Sequence, residues 1–249
     1  KGGNFCLLVE LVGVDFSLSS PRQRPGRSLR RAKMLSPVPG LIYVVRTSLY
    51  VSLSNESNTT TLHDSRGSNF SMSTQTGFNL LPAGWEPQEA DVTRAVADAW
   101  KGGAYDSVVF AGMGEPTLRL DTLLSSSKAL RALLPPAVPI RLNTNGLGSE
   151  HAGHDISPSL KSSGITHTTI ALNTSIPAQY HTLMSSPYGP RGLEVATEFG
   201  LQCAKAGIEV ECTAVQRPDV DVEAVRELAS KSGFGFRARS YHAPPQAKV

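Results

Sequence analysis

The sequence predicts an α/β fold: a six-stranded parallel sheet curled into a partial barrel, with helices on its outside. Two observations carry this. Strand-like runs recur six times from residue 48 onward, with a helical pattern between one run and the next, as crossover connections of a parallel sheet require. Several of these runs also alternate between apolar and polar residues rather than reading as continuous apolar stretches.

The elements follow in order. The first strand is SLYVSLS (48–54). Pro87 opens a helix whose Val92, Ala95, Val96, Ala99 and Trp100 share one face and which Gly102-Gly103 closes. The second strand is SVVFAGMGEP (107–116). Asp121 is placed to cap the next helix, which carries Leu123, Leu124, Leu130 and Leu133. Strand three is PIRLNTNG (139–146), followed by the short helical run SPSLKSSG, and strand four is HTTIALNT (167–174). A helix from Gly192 to Ala206 stops at Gly207, and EVECTAV (209–215) is the fifth strand. Asp221 caps a last helix with Val222, Val225, Leu228 and Ala229, Gly233 ends it, and GFRARSY (235–241) is the sixth strand.

The alternation decides how the sheet is covered. Arg141, Asn143 and Asn145 oppose Ile140, Leu142 and Thr144, and Thr169 and Asn173 oppose Ile170 and Leu172. Glu211 and Thr213 oppose Val210 and Cys212, while Arg237, Arg239 and Tyr241 oppose Phe236 and Ala238. A parallel sheet with helices on both faces reads as near-continuous apolar runs, and a closed eight-stranded barrel fills its interior with Val, Ile and Leu. A curved sheet with a polar, ligand-holding concave face fits instead. Active groups in such folds sit at the carboxyl ends of the strands, where Glu115, Asn145, Asn173 and Tyr241 fall.

Two parts make up the 249 residues: a basic amino-terminal extension, 1–40, and a single domain, 41–249. The extension carries seven Lys/Arg against two acids, and the remainder seventeen against nineteen. The net charge of +3 therefore gives no reason to expect nucleic acid. Rich in Ser, Arg and Pro, the extension is similar to an organelle transit segment; an unstructured extension or translated non-coding sequence reads equally well, and Met34 is a candidate start. Hydrophobic residues make up 40% without an 18-residue apolar run, which suits a globular chain rather than a membrane span. Cys6, Cys203 and Cys212 form no spaced pair, as expected of a reducing compartment, cytoplasmic or organellar, and not of a secreted protein. Cys203 and Cys212 read as core residues.

The stretch VVFAGMGEPTLRLD (108–121) ends an apolar strand in two glycines and one acid. Gly112 and Gly114 remove side chains so that a ligand can approach the backbone, and Glu115 offers an acceptor-only carboxylate to a cation. A strand-end turn with a solvated acid is the plainer alternative.

FAGMGEPTLRLDTLL, followed by RLNTNGLG, IALNT and ECTAV, resembles the radical S-adenosylmethionine (SAM) superfamily, most closely the TatD-associated radical SAM proteins, over roughly residues 41–243. The resemblance implies a six-stranded partial (βα) barrel and SAM as cofactor. It assigns the SAM amino group to Gly112, Met113, Gly114 and Glu115, and places Asn143, Asn145, Asn173 and Glu211 on strands lining the pocket. It also implies Cys-x3-Cys-x2-Cys after the first strand, holding a [4Fe–4S] cluster. This chain reads LSNESNTTTLHDSRGSNF there. The three positions are Ser57, Thr61 and Asp64 without a gap, or Glu56, Thr60 and His63 with one deletion, and neither register holds a cysteine. Clusters are held by thiolates, with histidine an occasional substitute, and carboxylates prefer harder ions.

The expectation is therefore a cluster-less or diverged member that keeps a pocket for SAM or a small anion, with Arg141, Arg237, Arg239 and Tyr241 as candidate substrate contacts. The long loop after the first strand, with Arg66 and Gly67, is placed to close over that cavity. An active enzyme with unusual cluster ligands or a partner's cysteines is the alternative. A metal-dependent hydrolase using His63 and Asp64, or His151, His154 and Asp155, is a third reading.

Overall fold

The computed structural model describes residues 38–244. Most of the basic extension, with Cys6 and Met34, lies outside the described residues. Among them, seven strands form one sheet in sequential order: β1 Ile42–Val45, β2 Ser48–Val51, β3 Ser107–Phe110, β4 Ile140–Thr144, β5 Ile165–Ala171, β6 Glu209–Val215 and β7 Gly235–Arg239. The expected count of six is corrected to seven, because β1 precedes the first anticipated strand and pairs antiparallel with β2, Ile42 opposite Val51. All later neighbours are parallel.

The helices are α1 Glu89–Gly102, α2 Leu120–Leu133, α3 Gly148–Ala152, α4 Ser157–Ser162, α5 Pro177–Met184, α6 Gly192–Lys205 and α7 Val222–Lys231. Asp221 caps α7 by accepting from Ala224 N at 3.0 Å. Asp121 does not cap α2; it lies in that helix's first turn, after the boundary residue Arg119, where its charge still suits the helix dipole. None of the helices among the described residues is long and apolar enough to cross a membrane.

The apolar strand faces and the helices share one core, which includes Val108, Phe110, Leu142, Ile170, Cys203 and Cys212. Burial pushes both thiols up to about 12, with Asp155 adding to Cys203 and Glu211 to Cys212. The opposite, polar face is enclosed too: Asn143, Thr169 and Thr213 are all buried.

β1 and β7 share no ladder, yet Tyr43 of β1, Tyr50 of β2 and Arg239 of β7 line one cavity. The loop after β2 joins the two edges. His242 N donates to Arg66 O (2.8 Å), Asn69 N to His242 O (3.4 Å) and Arg66 Nε to Ser240 O (2.8 Å). Gly67 is required there, since a Cβ would strike His242 O and the Tyr241 ring, and its φ is 98°.

Candidate functional site

At the tip of β3 the chain turns through Gly112–Glu115 into a 3-10 turn at Pro116–Arg119. Glu115 caps that turn. Its Oε1 accepts from Thr117 N (3.0 Å), Thr117 Oγ1 (2.8 Å) and Thr144 Oγ1 (2.8 Å), and its Oε2 accepts from Asn145 N (2.7 Å). Burial pushes this carboxyl above the usual range, while the four donated bonds, that from Asn145 foremost, pull it back. The side chain is 4% exposed and ties the tip of β3 to the tip of β4. Its oxygens are engaged by the protein's own donors, so a ligand ammonium would have to displace one of them.

The two glycines likewise serve the chain itself. Gly114 N donates to Ser54 O (3.2 Å) and Glu115 N to Glu56 O (2.8 Å). A Cβ at Gly114 would collide with those same backbone oxygens, and one at Gly112 would meet Ser52 Oγ at 2.7 Å. What approaches the β3 tip so closely is the segment 54–56, where the sequence suggested a ligand.

The other expected SAM contacts follow this pattern. Asn145 Nδ2 donates to Asn58 Oδ1 (2.7 Å) and Thr59 Oγ1 (3.2 Å), and its Oδ1 accepts from Leu147 N (3.0 Å). Asn173, at φ 60°, points its Nδ2 to Met184 Sδ at 3.0 Å. Glu211 pairs with Arg237 at 2.5 Å. Segment 57–62 closes over Met113, Glu115 and Asn145, and Thr60 N holds it to Met184 O at 2.7 Å. The remaining space is about 10 Å³, room for about one water. In this arrangement the residues do not fit the methionine end of SAM.

The cluster positions fare no better. Thr61 Oγ1 donates to Asp64 Oδ2 (2.8 Å) and Ser57 Oγ lies 3.5 Å from Thr59 Oγ1. Hydroxyls and one carboxylate are an unsuitable donor set for an iron–sulfur cluster, and both cysteines among the described residues are buried in the helix-covered core. The hydrolase reading is corrected as well. Among the described residues no three His, Cys, Asp or Glu groups are placed to hold a metal ion. His154 Nδ1 bonds Ala152 O, and Asp155 accepts from Ser157 N and Oγ at the start of α4.

A roomier cavity, about 160 Å³, lies between the β1–β2 hairpin and β7. Of the four expected substrate contacts only Arg239 lines it. Arg237 is taken by Glu211, Tyr241 lies under the Arg217 guanidinium (5.3 Å), and Arg141 is elsewhere with its Nε buried and unbonded. Arg239 Nε is also buried without a hydrogen-bond partner. Burial, then Arg237 and Arg66, lower its affinity for a proton to about 10, so it is charged at neutral pH. Asn143 and Gly112 border both spaces. The aromatic lining residues Tyr43, Phe70 and Phe78 carry no chemical motif, and only their positions in the folded chain assemble them.

Comparison with solved structures gives this architecture a context. SuiB of Streptococcus suis, solved with bound S-adenosylmethionine, aligns with a TM-score of 0.57 and 17% identity over 81% of this chain and 40% of its own. Methylornithine synthase (PylB) aligns at 0.54 and 12% identity over 79% and 53%, and anSMEcpe with bound AdoMet at 0.54 and 16% over 81% and 53%. The fold of the described domain resembles those of these three proteins. At these identities the likeness concerns fold alone, and the chain spans about half or less of each of these proteins. SuiB is also known bound to its precursor peptide SuiA. No protein-family model and no curated protein matches the sequence.

Proposed function

We propose that this protein is a diverged, cluster-less relative of the TatD-associated radical SAM proteins that binds a small anionic molecule without radical chemistry. The observation that carries the proposal is Arg239: a charged guanidinium with an unbonded buried Nε, facing a cavity of about 160 Å³. A guanidinium's planar fork suits a carboxylate or phosphate, and that of half-buried Arg239 keeps a buried Nε without a protein partner. Arg66, held by Ser240 O, stands at the same cavity as a second cation. The chain's own residues do the binding: Arg239 and Arg66 supply charge, and the loop after β2 forms one wall of the cavity. The sequence likeness supports the TatD-associated subtype, and the oxygen ligands at 57, 61 and 64 support loss of the cluster. The binding domain spans 41–249, residues 1–40 being an extension, and two free buried thiols suit a reducing compartment, cytoplasmic or organellar.

Two measurements test this. Anaerobic reconstitution with iron and sulfide should leave the protein colourless and without stoichiometric iron. In thermal shift, small carboxylates or phosphates should stabilise the native chain, by mass action on the folded state, more than sodium chloride of equal ionic strength does. Four irons and four sulfides held stably, or no response to any anion, would each overturn the reading.

A further inference from the structure

The lining of the Arg239 cavity is more specific than a general anion site. Tyr43 contacts Tyr50 with ring centroids 5.1 Å apart and Phe78 edge-on at 5.1 Å. Phe70 lies under the Arg66 guanidinium at 4.4 Å and against His63 at 4.9 Å. Among the described residues no acid lines the space. Cations and aromatic rings line the same small space, Arg66 over the Phe70 ring and Arg239 on β7, a combination that suits a ligand carrying both a negative charge and a ring. Aromatic pairs gain about 0.5–1.5 kcal/mol beyond the area they bury, an advantage that a phosphate or an acetate cannot use. Size agrees, since a cavity of about 150 Å³ is enough for benzene.

We infer that the space between the β1–β2 hairpin and β7 is a binding site for a single-ring aromatic carboxylate, its carboxylate on Arg239 and Arg66 and its ring against Tyr43, Phe70 and Phe78. This rests on the anion-binding reading above and narrows it to a ligand class. Arg239 provides the charge and the loop residues Arg66 and Phe70 complete the site, so the loop bridging the two sheet edges is part of the binding machinery. Asn143, at the border of the cavity, is within the same lining and available to the carboxylate edge.

Calorimetry on the full chain with benzoate, benzamide, acetate and inorganic phosphate tests the inference. Benzoate should bind at least tenfold more tightly than each of the other three. Arg239→Met should weaken benzoate at least tenfold, with an unchanged circular-dichroism spectrum and cooperative melting to show that the variant is folded. Phe70→Leu should weaken benzoate while leaving acetate unchanged, and Arg94→Ala, on the outer face of α1, should change nothing. Acetate or phosphate binding as well as benzoate would overturn the aromatic class and leave the anion site standing. Benzoate binding undiminished in Arg239→Met would overturn the location. Silence with all four probes would overturn both this inference and the reading beneath it.

Discussion

The carboxylate of Glu115, at the tip of β3, accepts the backbone N–H of Asn145, at the tip of β4, at 2.7 Å. With Thr144 Oγ1 on its other oxygen, the acid fastens two parallel strands where their ladder has ended. A conspicuous acid at a strand tip is here a buried bracket between strands. The same carboxylate positions Asn145, whose amide then holds Asn58 and Thr59 of the covering segment.

Glu115→Gln tests the bracket. A carboxamide presents one acceptor oxygen and one NH2 group, so at least one of the four donors is left facing a donor. Leaving a buried polar group unsatisfied costs about 1–3 kcal/mol. Urea denaturation should show a loss in that range with an unchanged m-value, and any affinity for SAM should not change. A variant as stable as the parent, but with weakened SAM binding, would return Glu115 to the ligand-binding role that the sequence suggests.

Gly114→Ala should be severely destabilising, by more than the about 1–3 kcal/mol usual for overpacking, because the added methyl meets backbone oxygens of Ser54 and Glu56 that no rotamer change can move. Gly103→Ala is the comparison: there the added methyl meets the ring of Tyr105, a side chain that can shift. Melting temperatures that fall equally in the two variants would count against the close passage of segment 54–56 at the β3 tip.

Asp106 carries a pH dependence. Thr47 Oγ1, and then Ser107 Oγ (2.9 Å) and Ser48 Oγ (3.1 Å), donate to its carboxylate, and its pKa is lowered, with the Thr47 bond the largest cause. A carboxyl whose folded pKa lies below its unfolded value contributes stability that is present above the unfolded pKa and is lost as pH falls through the folded one. The contribution should therefore be full above about pH 4 and fade below it. Urea midpoints of the parent and Asp106→Asn should differ at pH 7 and converge toward pH 3. A constant gap across that range would remove the electrostatic explanation.

The rhythm of strands and helices is legible in the sequence because each crossover helix has an apolar stripe and a stop at glycine, as α7 does between Asp221 and Gly233. Strand β1 is not legible. It joins β2 through Arg46-Thr47, with Arg46 at φ 57°, where the usual hairpin signal would be Asn-Gly or Asp-Gly. The site divides in the same way. Glu115 stands out as a lone acid after two glycines, but its partners Thr144 and Asn145 come from the next strand, and nothing local to residues 112–115 reveals them. Arg239 is visible as part of an alternating strand. That Phe70 and Phe78, from the long loop after β2, border the same cavity depends on loop hydrogen bonds to Ser240 and His242 that no periodicity encodes.

Cys203 and Cys212 should be inert. Buried, with their thiols pushed up to about 12, they present almost no thiolate at pH 8. Alkylation of the native protein followed by peptide mapping should leave both unmodified, and both should react in urea. Native-state modification of either would contradict their packing between sheet and helices and reopen them as cluster ligands.

The last prediction concerns which register the cluster positions follow. Thiolates around one cluster must converge on a common point, so the side chains they replace should already lie close together. In the ungapped register two of the three, Thr61 and Asp64, touch at 2.8 Å, while Ser57 Oγ lies 3.5 Å from Thr59 Oγ1. In the gapped register each has a different partner: the backbone of Glu56 is bonded to Glu115 N, Thr60 Oγ1 donates to Ser185 Oγ at 3.4 Å, and His63 lies against Phe70 and Phe78. The triple variant Ser57→Cys, Thr61→Cys, Asp64→Cys should accordingly take up iron and sulfide on anaerobic reconstitution and turn brown, whereas Glu56→Cys, Thr60→Cys, His63→Cys and the parent should not. Glu115 N keeps its bond to the Glu56 carbonyl in both triple variants, so a difference between them reports on side-chain convergence rather than on a loosened loop. Uptake by the gapped variant alone would mean that the loop after β2 is shifted by one residue from the arrangement described here, and uptake by the parent would mean that oxygen ligands suffice.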